Sequence, residues 1–103
     1  MKYVCLCYED EVGARVTVPV EDDDELRSGG HLLAAEIVSP RPEVTTVRVR
    51  NGEVAVTDGP TSDSDDRLGR FVLIDARDLN DAIRLASRLP SAKTGRVEIR
   101  RVR

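Results

Sequence analysis

Few residues in this chain have the type and placement for chemistry. Asp58 stands at the end of a strand-like run, directly before Gly59-Pro60. A rigid turn there can hold a carboxylate at the mouth of a sheet pocket, as an acid, a base or a ligand contact. The same side chain can also close an Asx-turn on its own backbone two residues on. His31 is the chain's one histidine. Beside Asp58 it would be oriented as a general base with a raised pKa, whereas alone at a strand start it is a packed polar residue.

The other chemistry-bearing types point away from a site. Cys5 and Cys7 alternate along a strand pattern, so their side chains run parallel and join poorly in a disulfide. With no nearby cation in sequence to favour a thiolate, they read as reduced, buried packing groups. Asp22-Asp23-Asp24-Glu25 and Asp63-Ser64-Asp65-Asp66 lack the alternating acids, central glycine and distant Glu of a calcium loop. Gly29-Gly30 and Gly59 have no Lys-Ser or Lys-Thr behind them, so they do not form a phosphate loop. No metal and no cofactor is expected.

Strands must position these groups. Tyr3 to Tyr8 carries no charge on either face and reads as a central strand. Ala14 to Val20, with Pro19 and β-branched residues, argues against a long helix; Glu21 to Arg27 can make two helical turns that Gly29-Gly30 stop. His31 to Val38 is a strand closed by Ser39-Pro40-Arg41-Pro42. Val44 to Arg50 and Glu53 to Asp58 flank Asn51-Gly52, the pair suited to a type I′ turn. That turn sets Arg50 opposite Glu53, Val49 opposite Val54 and Val47 opposite Val56, placing the valines on one face, which is expected to be buried.

Asp58 to Gly69 is a turn-rich acidic loop, and Phe71 to Ile74 is a second central strand. Asp78 can cap a helix from Leu79 to Leu89, with Leu79, Ala82, Ile83, Ala86 and Leu89 as its apolar stripe, ended by Pro90. In the last strand, opened by Gly95, Val97 and Ile99 share a face and Val102 falls out of phase. The order satisfies an α+β, ferredoxin-like split βαβ arrangement, provided the inserted hairpin extends the sheet. Sheet strands apolar on both sides leave one face uncovered, which predicts a homodimer.

At 103 residues the chain suits a single domain spanning 1–103. With 40% hydrophobic residues and only two Tyr and one Phe as aromatics, the core is built from Val, Leu, Ile and Ala. A net charge of −3 offers nucleic acid no general attraction; the C-terminal arginines Arg96, Arg100, Arg101 and Arg103 are a local exception. No stretch approaches the roughly 20 apolar residues of a membrane span, and Met1-Lys2 leads directly into a strand rather than a signal peptide. A cytoplasmic protein, contacting neither membrane nor nucleic acid, is expected.

One set of motifs resembles a known family. It comprises Glu25-Leu26-Arg27, Ser28-Gly29-Gly30-His31-Leu32, Thr45-Thr46-Val47-Arg48-Val49-Arg50-Asn51-Gly52, Val56-Thr57-Asp58-Gly59-Pro60, Leu68-Gly69-Arg70-Phe71-Val72-Leu73-Ile74 and Asp78-Leu79-Asn80-Asp81-Ala82-Ile83. Together these resemble the YCII-related proteins of the DGPF type. The resemblance implies a ferredoxin-like fold that dimerises as an α/β barrel, with unassigned biochemistry, and in some relatives an association with alternative sigma factors. It also implies a His-Asp pair whose His rides on the first helix; here His31 follows Gly29-Gly30 instead. After Asp58-Gly59-Pro60, Thr61 replaces the family's Phe, and the lysine-containing run becomes Ser62 to Asp66. Three functions are compatible with this: a regulatory module binding a small molecule or a transcription-related protein partner, a small hydrolase- or lyase-like enzyme using Asp58 with His31, or a structural homodimer.

Overall fold

A computed structural model of the chain describes residues 1–9, 26–38, 43–60 and 68–103. In it β1 (Lys2–Glu9), β2 (Leu32–Ile37), β5 (Leu68–Asp75) and β6 (Gly95–Arg101) form one antiparallel sheet in the order β2-β5-β1-β6. β3 (Thr45–Arg50) and β4 (Glu53–Asp58) form a second sheet of two strands. The architecture is mixed α and β with mostly antiparallel pairing. Helix α1 (Leu79–Ala86) and the single turn α2 (Ser91–Thr94) connect β5 to β6. Ala14 to Val20 and both acidic runs lie outside the described residues.

The apolar alternation of β1 and β5 decides the centre. Tyr3, Cys5 and Cys7 pair with Ile74, Val72 and Arg70 and point to one side. All six are buried there, and Ala82, Leu85, Ala86 and Leu89 complete the core from the helical connection. Val4 and Leu6 pair with Leu73 and Phe71 on the opposite side and remain half-buried. β1 and β5 are therefore adjacent, central and apolar on both faces, as the sequence predicts. β5 lies between β1 and β2, and β1 between β5 and β6, the interleaving that a split βαβ order requires.

Asp78 caps α1 as expected, its Oδ1 accepting the Asp81 N–H at 2.8 Å. The helix is rotated from the expected phase, however. Leu79 and Ile83 face outward at 53% and 50% exposure, and Leu85 takes the core position in their place. The expected stripe joins two rows of the helix, and only the row continuing to Leu89 reaches the sheet. The helix ends at Ala86 with Ser87 as its C-cap, short of the expected Leu89, and Pro90 instead starts α2, an element absent from the sequence-based expectation; Glu9 secures α2, accepting from the Ser91 and Thr94 hydroxyls at 3.2 and 2.8 Å.

The hairpin has the expected register, from Arg50↔Glu53 to Thr45↔Asp58, with Asn51 and Gly52 at φ 53° and 78°. It does not extend the main sheet. β3 and β4 pair with each other and make at most slight contact with any other described element. The expected buried valine face is open: Val47, Val49, Val54 and Val56 are 59, 56, 66 and 63% exposed. The sequence between β2 and β3 includes Pro40 and Pro42, neither of which can donate to a ladder. The radius of gyration of 15.2 Å exceeds the ~13 Å of a compact chain of about this length, in keeping with an arm.

Both thiols are free and buried. Burial, with Cys7 beside it, pushes the Cys5 thiol up to about 12, so it carries essentially no thiolate at neutral pH. A thiol-disulfide reagent at pH 8 should leave Cys5 unmodified in the folded protein and label both cysteines in denaturant. Rapid labelling of Cys5 without denaturant would contradict its burial in the core.

Candidate functional site

A polar cleft lies where β1 begins and β5 ends. A helical turn over residues 26–28 enters it and is stopped by Gly29-Gly30. The His31 N–H reaches the Leu26 carbonyl at 2.9 Å and the Gly30 N–H reaches the Arg27 carbonyl at 3.1 Å, with Gly30 at φ 75°. These paired bonds and the left-handed glycine make a Schellman ending. The Gly-Gly pair thus terminates the helix and also delivers His31 to the sheet end.

His31 is then fixed from two directions by Asp75. The Asp75 N–H donates to the His31 carbonyl at 2.8 Å, and His31 Nδ1 lies 3.0 Å from the Asp75 carbonyl oxygen. A carbonyl only accepts, so Nδ1 carries the proton in this bond and Nε2 is the ring nitrogen left for another partner. The Met1 amino group spans the neighbouring strand ends, donating to Asp75 Oδ1 at 3.0 Å and to the Ala76 carbonyl at 2.8 Å. An open cleft of about 330 Å³ is bounded by Met1, Gly29-Gly30, His31, Asp75 to Arg77 and Asp81.

Asp81 forms the floor on the helix side. Its side chain is 2% exposed, and its Oδ2 accepts the Arg77 N–H at 3.0 Å. Its Oδ1 accepts from Arg84 Nη2 and Nε at 2.9 and 3.2 Å. The Arg77 N–H, then the Arg84 guanidinium, hold this carboxyl down at about 2, outweighing its burial. Among the described residues no group of three or more His, Cys, Asp or Glu is arranged to hold a metal ion.

Asp58 stands elsewhere. It closes β4 opposite Thr45, exposed, on the excursion that leaves the sheet at the β2 end remote from His31. The turn after it is anchored by its neighbours: the Gly59 N–H donates to the Val44 carbonyl at 2.7 Å, and the Thr46 hydroxyl to the Gly59 carbonyl at 2.6 Å. Among the described residues no hydrogen bond or ion pair joins Asp58 to His31. Asp75 and Asp81 are not among the sequence-based candidates, although Asp81 stands three residues after the cap Asp78, the spacing of a reciprocal capping pair.

Both sides of this corner can be tested. Gly30→Ala places a Cβ on a left-handed backbone and should cost about 1–2 kcal/mol by chemical denaturation. It should also disturb the His31 imidazole resonances, which an effect confined to helix stability would leave in place. The pKa of Asp81 is lowered, so its stabilising contribution is complete above the ordinary value of 3.8 and disappears as pH falls through about 2. Asp81→Asn should therefore flatten the loss of stability between pH 4 and pH 2 and leave the protein less stable at pH 7. Parallel wild-type and variant curves would remove Asp81 from this role.

The model of the YCII-related domain matches residues 1–103. A protein of Rhizobium meliloti (strain 1021), named Uncharacterized protein R00369, is 31% identical over 112 aligned positions, which take in 97% of this chain and 90% of that protein.

Proposed function

Because the chain belongs to the YCII-related domain family, we propose that it acts as a ferredoxin-like homodimeric module that binds a small polar molecule in the cleft at His31. The observation carrying this reading is the imidazole itself. Its Nδ1 is engaged by the Asp75 carbonyl, which leaves Nε2 for another partner, and His31 borders a cleft that also includes Arg77 and Asp75. A fitting ligand offers a hydroxyl or amide N–H to Nε2 and a polar group of either sign to the rim.

The homodimer is supported by the half-buried apolar side of β1 and β5, which a second copy would cover. In the arrangement that the family resemblance implies, an α/β barrel, the two sheets face each other. A transcription-related protein partner would sense cleft occupancy through that dimer. The free thiols suit a reducing cytoplasm. A small hydrolase or lyase is the second reading, favoured by the bond at Nδ1, which leaves Nε2 as the ring nitrogen available to a general base. Its acid, Asp58, would then have to come from the second copy, since within one chain the two residues sit on separate sheets.

A thermal-shift screen of small hydroxy acids, amides and amino acids tests both readings. Under the binding reading, some compounds raise the Tm of wild type and of Asp58→Asn but not of His31→Ala. Loss in both variants supports the paired His31-Asp58 site. Shifts that persist in His31→Ala place the ligand elsewhere and overturn the cleft assignment.

A further inference from the structure

We propose that the β3-β4 arm is an intersubunit element whose valine face is buried against a second copy of this chain. The inference rests on the homodimer reading and specifies what that dimer needs. The arm sorts its residues sharply. Val47, Val49, Val54 and Val56 occupy one face, while Arg48, Arg50 and Glu53 occupy the other. An isolated two-stranded hairpin is marginal in water, and this one has its valine face open, with more than half of every valine exposed.

Nothing described in the chain's own body receives that face, as β3 and β4 pack essentially on each other. The area requirement points to a second copy. A stable interface takes roughly 800 Å² from each partner. The other apolar surface on the sheet, Val4, Leu6, Phe71 and Leu73, is already half-buried and falls short of that alone. The arm adds four largely exposed valines to what each copy can contribute, and a twofold axis lets both copies contribute the same patch.

The two surfaces also follow one another along the chain. β4 precedes β5, which carries Phe71 and Leu73, and the arm is tied to itself at its base by the Thr46 and Val44 bonds. The only charge on the valine face is Asp58, at its base. Its tip is therefore free of the charges that ordinarily keep an exposed hairpin face from associating.

The test uses the full chain. Threonine keeps strand preference and nearly the volume of valine, so V47T/V49T/V54T/V56T should retain its circular dichroism and dissociate at a concentration at least about tenfold higher than wild type in light scattering. In a separate Val54→Cys protein, the added thiol should react with maleimide several-fold more slowly at dimer-forming concentrations than after dilution to monomer. The native thiols are buried in the chain's own core and stay protected in both states. A quadruple variant that dimerises like wild type, together with a labelling rate of the added thiol that is independent of concentration, overturns the arm assignment and leaves the dimer standing. Wild type that stays monomeric at every concentration overturns both. If the quadruple variant loses its secondary structure, the labelling rates decide.

Discussion

The pairing of β1 with β5 is the constraint on which the rest of the structure depends. It joins two segments almost seventy residues apart, and each is apolar on both sides over its central residues. Once they are adjacent, β2 and β6 can only flank them, and the helical connection must lie across the Cys5 side. Burying aliphatic surface there is worth roughly 25 cal/mol per Å², against which no single hydrogen bond at the periphery competes. The two buried thiols belong to this layer. They are small enough to let α1 approach the sheet, and they are chemically inert because burial denies them a charge.

That layer also dictates where polar chemistry can occur. With the core occupied by aliphatic groups, ionisable side chains are displaced to the strand ends, where backbone donors and acceptors are available to orient them. The corner at His31 is such a place: the ends of β1 and β5 meet a helix stop and a helix start. Backbone groups supply much of its order. Asp75 fixes the imidazole through its carbonyl rather than its carboxylate, and Asp81 is fixed by the Arg77 N–H before any guanidinium. An Asp-His pair of side chains is not what orients this imidazole.

The same division explains which parts were legible from sequence. β1, β5, the Asp78 cap and the hairpin register are local matters of alternation, side-chain type and turn chemistry, and each could be read from adjacent residues. The phase of α1 could not. Leu79 and Ile83 have the same spacing as the row that is buried, and only the position of the sheet distinguishes them. The His31 partner was equally hidden, since a backbone carbonyl belongs to every residue and carries no sequence signal. Asp58 stood out because its neighbours are glycine and proline, yet those residues mark a turn, and the turn is secured by Thr46 and Val44 rather than by the Asp58 side chain.

The hairpin raises a different question, because its local signals are strong and its place in the fold is unusual. Alternation in β3 and β4 is as regular as in β1, which ordinarily indicates a strand pair with a core beneath one face. Here the register is as expected, and among the described residues no core lies beneath the valine face. A sequence pattern specifies that a face is to be buried but not which surface buries it, and within one polypeptide the nearest apolar layer is only a default. For this hairpin, tied to itself at the base, that default fails among the described residues. A regular apolar face with no neighbour among the described residues therefore marks a surface whose cover the sequence pattern alone does not name.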